Sequence, residues 1–265
     1  MKIRAFIMMA VWATVLWTVS PAEAKVVTQT VSYTHQETTL KGYLAYDDAV
    51  EGKRPGVLVV HEWWGLNDYA RQRAEQLAGL GFVAFALDMY GEGKTTRHPE
   101  EAGKWSQQVR SSVGLWQQRA LAGLEVLRKD PRTDPARIAA IGYCFGGATV
   151  QVMAYGGAAL KGVVSFHGSL VPPSAEQTSR AQAKFLICHG AADSFTKEGA
   201  VEKYMAAMEK SGLDWQLNVY GGAKHSFTNP HADKMGIQAL GYSKSADQRS
   251  WAAMRLFFDE LFSTP

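Results

Sequence analysis

A cysteine flanked by glycines stands where an apolar strand gives way to a helix. The sequence G-Y-C-F-G-G occupies residues 142–147 and follows the apolar segment 138–141. The glycines permit a sharp turn that lifts the Cys144 sulfur above the sheet edge. At the start of the following helix, free N–H groups and the helix dipole favour a thiolate and an oxyanion. The spacing therefore predicts a cysteine nucleophile, with a buried cysteine in a glycine-rich turn as the alternative.

Two residues farther along the chain have the types that a thiol nucleophile requires. A nucleophile needs a base, and the base needs a carboxylate that orients it. Asp193 and His225 each follow a predicted strand in a glycine-containing loop. Because the carboxyl ends of parallel strands gather at one edge, we predict a triad of Cys144, Asp193 and His225. The alternatives are a turn or helix cap for Asp193 and a loop histidine without function for His225.

Three other histidines compete for the role of base. His61, His167 and His189 follow predicted strands directly, so little loop remains to carry them over the nucleophile turn. We therefore rank them below His225. The chain also lacks a ligand pair with spacing such as H-x-x-x-H, so we expect no metal, and we expect no cofactor.

Glu62 lies in the loop where the oxyanion donors are expected. A carboxylate aimed at a developing oxyanion would repel it, so we predict that Glu62 partners the thiol or His225. A surface carboxylate is the alternative. The N–H groups of Trp63 and Phe145 are the predicted oxyanion donors. Nearby aromatic residues are predicted to line the substrate pocket, with core packing as the alternative: Trp64, Tyr90, Tyr143 and Phe227.

Short apolar strands alternate with helical segments along the chain. Strands are predicted at residues 26–33, 40–45, 56–60, 82–87, 138–143, 162–166, 184–188 and 215–220. Helices are predicted at residues 68–80, 100–127 with a break near 111–114, 146–155, 197–211 and 247–262. This alternation predicts an α/β fold with a mostly parallel central sheet flanked by helices, in one domain over residues 25–265.

The first 24 residues have the pattern of a signal peptide. Lys2 and Arg4 precede an apolar run over residues 5–19, and the A-E-A of residues 22–24 offers a cleavage site. The run is short for a membrane span, which needs about 20 apolar residues. We therefore expect export, in the pattern of a bacterial periplasmic protein, with no membrane association after cleavage. A retained anchor is the lesser alternative.

Charge and cysteine content narrow the classes of partner. The formal net charge is +3, which is too small to argue for binding to nucleic acid or an anionic membrane. Cys144 and Cys188 are the two cysteines of the chain. A disulfide between them is the lesser alternative, because Cys188 lies in a predicted core strand and Cys144 in a turn. We expect a monomer or small homo-oligomer that binds a small-molecule ester or lactone.

In combination, these motifs resemble the dienelactone hydrolase family of α/β-hydrolases over about residues 40–262. The resemblance rests on H-E-W-W-G-L-N at 61–67, D-M-Y-G at 88–91, G-Y-C-F-G-G at 142–147, G-A-A-D at 190–193 and H-S-F at 225–227. It implies an α/β-hydrolase fold without a large lid domain and a triad of Cys144, Asp193 and His225. It also implies that Glu62 holds the thiol inactive until substrate binds and then helps to generate the thiolate.

The chain departs from the family pattern at two positions. Family members that act on the carboxylated dienelactone use two arginines to grip its carboxylate, but Gly91 to Lys94 and Thr228-Asn229 stand in those regions. Lys94 or Arg97 would replace them only loosely. We therefore expect an exported hydrolase of small esters or lactones that acts through a thioester. A non-catalytic binding protein on the same scaffold and a thiol redox protein are the alternatives.

Overall fold

An eight-stranded sheet forms the centre of the protein in the computed structural model, which describes residues 25–263; the predicted signal peptide lies outside them. The strands are β1 Val26–His35, β2 Thr38–Asp47, β3 Arg54–Val60, β4 Val83–Leu87, β5 Thr133–Tyr143, β6 Gly162–Phe166, β7 Lys184–Gly190 and β8 Trp215–Tyr220. Their order in the sheet is β1-β2-β4-β3-β5-β6-β7-β8. The pairs β1–β2 and β2–β4 are antiparallel, and β3 to β8 run parallel.

Helices cover both faces of this sheet. They are α1 Asp68–Ala78, α2 Pro99–Arg110, α3 Val113–Lys129, α4 Phe145–Tyr155, α5 Ala175–Thr178, α6 Ala200–Ser211 and α7 Lys244–Phe262, with a 3₁₀ helix at Ala232–Met235. The buried side chains of α3, α4 and α6 belong to one apolar cluster, and those of α1 and α7 to another. The predicted α/β fold with a mostly parallel sheet and flanking helices is confirmed. In the described part of the chain, no helix combines the length and apolarity needed to cross a bilayer.

The central strands separate two cores because successive side chains alternate between the faces of the sheet. In β3, Leu58 and Val60 pack in the α3–α4–α6 cluster, whereas Val57 and Val59 pack in the α1–α7 cluster. Each of these four side chains is fully buried. This two-sided burial explains why β3 is a continuous apolar run rather than an alternating one.

The boundary between α2 and α3 follows from a capping residue. Ser112 adopts an extended conformation, and its side chain accepts a hydrogen bond from the N–H of Leu115. An N-cap of this kind starts a new helix, so the predicted break near residues 111–114 falls at Ser111 and Ser112. Strand β5 begins at Thr133, earlier than predicted, because Arg54 and Pro55 of β3 pair with its first residues.

Leu58→Ala is expected to lower the free energy of unfolding by about 2–5 kcal/mol, since the truncation leaves a cavity between packed elements. Leu256→Ala is the matched control, because Leu256 of α7 is 71% exposed. It is expected to change that free energy by less than about 0.5 kcal/mol. Urea denaturation of both variants and the wild type measures the difference. Equal midpoints for the two variants would contradict this account of the core.

Candidate active site

The turn between β5 and α4 forces Cys144 into a strained backbone conformation. Its φ is +54° and its ψ is −112°, a region that residues with a side chain rarely adopt. A Cβ at position 142 would overlap the carbonyl of Gly146, and a Cβ at position 146 would overlap the carbonyl of Val60. Only glycine fits at both positions, so the G-x-C-x-G pattern is a packing requirement. The turn leaves the Cys144 side chain half-buried at the carboxyl edge of the sheet.

The two N–H groups predicted as oxyanion donors have no acceptor among the described residues. Within residues 25–263, neither the N–H of Phe145 nor that of Trp63 donates a hydrogen bond to a protein atom. Phe145 begins α4, where the first N–H groups of a helix lack internal partners. The hydroxyl of Tyr90 donates to the carbonyl of Trp63 at 3.0 Å, which joins the first loop to the loop after β4. Both N–H groups therefore remain available as donors.

The structure brings His225 and Asp193 together with Cys144. The Nδ1–H of His225 donates to Oδ2 of Asp193 at 2.7 Å, and the other carboxylate oxygen accepts the N–H of Phe195 at 3.0 Å. Burial opposes the charged imidazolium, but the charge and hydrogen bond of Cys144 and the hydrogen bond to Asp193 outweigh it. Together they raise the pKa of His225 to about 10. A buried imidazolium is thus stabilised between two acidic groups.

The aromatic ring of Phe195 lies against His225 and was not singled out by the sequence. The two ring centroids are 5.0 Å apart in an edge-to-face arrangement. Phe195 is nevertheless 58% exposed, which is unusual for a large apolar side chain. The ring therefore presents an apolar surface to solvent beside the candidate base. Its signal in the sequence was its place two residues after Asp193.

Glu62 is buried and accepts hydrogen bonds from two neutral side chains. It is 1% exposed, which rules out the surface alternative. Its two oxygens accept hydrogen bonds from the Ser226 hydroxyl and the Asn229 amide, each at 2.6 Å. Burial raises the pKa of Glu62, and these two hydrogen bonds, together with the charge of His225, only partly oppose the shift. Among the described residues, no hydrogen bond joins Glu62 to Cys144.

The three competing histidines are buried at the same sheet edge, with burial lowering the pKa of each. His61 accepts the N–H of Met89 at Nε2, at 3.2 Å, and donates from Nδ1 to the carbonyl of Glu62. His189 has a buried Nδ1 without a partner among the described residues. His167 accepts the N–H of the cysteine at 3.2 Å through Nδ1. None of the three forms a hydrogen bond with Asp193 in the described chain.

The structure corrects part of the predicted substrate pocket. Tyr143 and Phe227 are fully buried and pack in the α1–α7 cluster, so neither ring can line a pocket. Trp64 is 1% exposed and lines a groove of about 840 Å³ beside the first loop, together with Arg97. The triad residues do not line that groove. Tyr90 belongs instead to an aromatic cluster beside the turn; its other members are Trp105, Trp116 and Phe145.

Cys144 directly follows β5 and Cys188 lies in β7, and these two strands are separated by β6 in the sheet. Tyr143 of β5 pairs with Phe166 of β6, and Phe166 pairs with Cys188 of β7. Two strand spacings amount to about 10 Å, beyond the roughly 7 Å that a disulfide can bridge. Both thiols are free, and burial raises the pKa of Cys188 to about 12. No group of three or more potential metal ligands occurs among residues 25–263.

Glu62→Gln is expected to change the pH dependence of stability. Because burial raises the folded pKa of Glu62, ionisation disfavours the folded state as pH rises above the ordinary carboxyl range. The glutamine variant lacks this penalty, so its free energy of unfolding should increase relative to wild type between pH 4.5 and pH 8. Urea denaturation at both pH values tests this, with exposed Glu198→Gln as the control. A constant difference at both pH values would contradict the assignment.

Comparison with known proteins identifies relatives over most of the chain. The model of the dienelactone hydrolase family matches residues 40–262. A dienelactone hydrolase-like promiscuous phosphotriesterase from metagenomic libraries is 39% identical, with a TM-score of 0.87; the match covers 91% of this chain and 100% of that one. The usf protein of Aquifex pyrophilus is 27% identical over 88% of this chain and 98% of its own length.

A more distant solved structure shares the fold. The dienelactone hydrolase of Anabaena variabilis has a TM-score of 0.62 at 22% identity, and the match covers 87% of this chain and 98% of that one. The family match spans strands β3 to β8, the strained cysteine turn and the Asp193 and His225 loops. The chain therefore belongs to the dienelactone hydrolase family and is a carboxylic ester hydrolase.

Proposed function

We propose that the protein hydrolyses small esters or lactones with a triad of Cys144, His225 and Asp193. One observation carries the proposal: a half-buried thiol on a strained turn contacts an imidazole that has a carboxylate behind it. The charge of the Cys144 sulfur raises the pKa of His225, and the proposed resting state pairs a thiolate with the imidazolium. This arrangement matches the requirements of covalent acyl transfer.

Acylation begins when the Cys144 thiolate attacks the carbonyl carbon of the substrate. The carbonyl π electrons move to oxygen, and the resulting oxyanion accepts hydrogen bonds from the N–H groups of Trp63 and Phe145. The tetrahedral intermediate then collapses and breaks the bond to the leaving oxygen, which takes a proton from the His225 imidazolium. The product of this half-reaction is a thioester on Cys144 and a free alcohol, or the ring-opened hydroxyl of a lactone.

Deacylation reuses the same groups with water as the nucleophile. Neutral His225 takes a proton from water while the oxygen attacks the thioester carbonyl. Asp193 stabilises the imidazolium that forms and holds its Nδ1–H in place. Collapse of the second tetrahedral intermediate expels the Cys144 thiolate and releases the acid. The thiolate–imidazolium pair is then restored.

Glu62 acts on the thiol through His225 in the proposed resting arrangement. Its carboxylate binds the hydroxyl of Ser226, the residue that follows His225, so it anchors the loop that carries the base. Its negative charge also favours the imidazolium form of His225. Among the described residues, its two oxygens bind Ser226 and Asn229 and neither binds Cys144. We therefore assign the thiol-activating role of Glu62 to support of the base.

The proposed substrate pocket lies on the aromatic side of the turn. Tyr90 and Phe145 pack with ring centroids 5.8 Å apart, and Cys144 packs against the core cluster that contains both. Aromatic walls of this kind suit a small apolar acyl or lactone group. Arg97 lies in the separate groove beside Trp64, so it supplies no grip on a substrate carboxylate at the thiol.

Cys144→Ala is expected to reduce hydrolysis of p-nitrophenyl acetate by at least about 1,000-fold, because the covalent step is lost. Cys188→Ala is the matched control, since Cys188 is a buried core thiol away from the turn. It should retain most of the wild-type rate. Comparable hydrolysis by Cys144→Ala and the wild type would refute the proposed mechanism.

Alkylation separates the proposal from a binding protein or a redox protein. Wild-type protein at pH 7 should incorporate one equivalent of iodoacetamide at Cys144, and His225→Ala should lose this reactivity because the imidazolium partner is gone. Cys188 should remain unlabelled while the protein is folded, because burial raises its pKa to about 12. An unreactive Cys144 in folded wild type would count against the thiolate pair.

We also propose that residues 1–24 are a signal peptide and that residues 25–265 form the single mature domain in a bacterial periplasm. The charged start, the apolar run and the A-E-A site support this. Fractionation of an expressing bacterium, with mass spectrometry of the protein's N-terminus, tests it. Periplasmic protein that begins at Lys25 is the expected result, and cytoplasmic protein that begins at Met1 would overturn it.

A further inference from the structure

His167 is bonded at both ring nitrogens, and the proposed reaction makes no direct use of it. The N–H of Cys144 is shared between the carbonyl of Phe166 at 3.0 Å and Nδ1 of His167 at 3.2 Å, so the ring supplies its second acceptor. Nε2 of His167 lies 2.6 Å from the hydroxyl oxygen of Thr228. The residue is fully buried and adopts a φ of +42°, which is uncommon for a residue with a side chain. His167 thus combines a strained backbone with a hydrogen bond at each ring nitrogen, next to the nucleophile. This combination indicates a functional constraint on the residue.

The partners of His167 determine which nitrogen carries the proton. The N–H of Cys144 can only donate, so Nδ1 accepts and the hydrogen resides on Nε2. Nε2–H therefore donates to the hydroxyl of Thr228, which also forms a hydrogen bond with the hydroxyl of Tyr69, 2.6 Å away. Arg73 donates to the Tyr69 oxygen through Nε at 3.4 Å. The result is a continuous series of hydrogen bonds from the nucleophile turn to the α1 helix.

This series of hydrogen bonds joins the turn that carries Cys144 to the loop that carries His225. Cys144 lies on the turn after β5, whereas Thr228 lies three residues beyond His225 in the loop after β8. Arg73 fixes the far end, because it donates to the Thr228 carbonyl at 2.7 Å and pairs with Asp247 of α7. The ring of His167 also lies edge-on to the ring of His225, with centroids 5.4 Å apart.

We propose that His167, as its Nε2–H tautomer, is a positioning residue that sets the distance between the Cys144 sulfur and the His225 imidazole. It does so by binding the backbone of the nucleophile turn with one nitrogen and the His225 loop, through Thr228, with the other. The inference deepens the proposed function and rests on it. Sub-ångström errors in such a distance are sufficient to slow a covalent step substantially.

Burial and the charges around His167 also favour a neutral ring. Burial lowers the pKa of His167 well below its ordinary value, and the nearby charges of His225 and Arg73 lower it further. A charged His167 would place a second cation against the His225 imidazolium and would offer the Cys144 N–H a donor instead of an acceptor. The neutral ring is therefore the form that fits its neighbours.

Long-range ¹H–¹⁵N correlation spectra of wild-type protein test the tautomer directly. The signals of His167 are assigned by their loss in His167→Gln. The expected result is a neutral ring protonated at Nε2 from pH 5.5 to pH 8. A ring protonated at Nδ1, or charged within this range, would overturn the proposal. Because this measurement needs no variant other than for assignment, it decides the matter even if a substituted protein folds poorly.

Thr228→Val tests the positioning role, because it removes the acceptor of Nε2–H while conserving shape. It should lower kcat for p-nitrophenyl acetate at least tenfold, change KM less than threefold, and slow Cys144 alkylation at pH 7. Thr228→Ser restores the hydroxyl and should recover most of both rates. Thr133→Val is the matched control, since Thr133 is a buried threonine of β5 whose hydroxyl has no partner among the described residues.

The outcomes separate this inference from the function on which it rests. If Thr228→Val matches Thr133→Val in both kcat and alkylation rate, His167 does not position the nucleophile. If Thr228→Ser is as impaired as Thr228→Val, packing rather than the hydroxyl is responsible, and the proposal also fails. If wild-type protein hydrolyses no ester, the proposed function fails, whereas the alkylation rates and the spectra still decide the role of His167.

Discussion

The reversal of the chain at Cys144 is the constraint on which the rest of the site depends. The backbone of the turn lies in contact with the carbonyl of Val60, and neither position 142 nor position 146 has room for a side chain. The resulting left-handed conformation is unfavourable by itself, so the sheet on one side and α4 on the other must hold it in place. Strand β5 is central in the sheet, with β3 and β6 as its neighbours. A rigid frame thus surrounds the strained cysteine.

Two buried carboxyl groups of the site have hydrogen-bond partners of different kinds. Asp193 faces an imidazole that can carry charge, whereas Glu62 faces a hydroxyl and an amide that cannot. The first pairing stabilises an ion pair, and the second leaves burial as the dominant influence on Glu62. Both carboxylates contact the β8 loop that carries His225 and Ser226. The position of the base therefore depends on two buried carboxyl groups with different kinds of partner.

Sequence patterns anticipate the parts of this structure that depend on local chemistry. The apolar runs predict the strands, and the glycine spacing around Cys144 predicts the turn, because each reflects a packing demand that few residue types meet. Tyr143 shares the face of β5 that carries Ala139 and Ile141, so alternation turns its ring into the α1–α7 core, and the pocket prediction overlooked this periodicity. Helix α5 has four residues, too few for a periodic pattern, although Ser174 and Gln177 form a capping box. The partners of Glu62 come from 164 and 167 residues away in the chain, which spacing alone cannot reveal.

The chain order of the site has a consequence for biogenesis. The sulfur is synthesised roughly eighty residues before the imidazole, and Arg73, which braces the imidazole loop, is itself held by Asp247 of the last helix. A nascent chain that ends before residue 225 lacks the imidazole that is proposed to activate Cys144. Formation of the Cys144–His225 pair is therefore delayed until translation is nearly complete. The latent thiol gains its nucleophilic character only when the C-terminal portion docks.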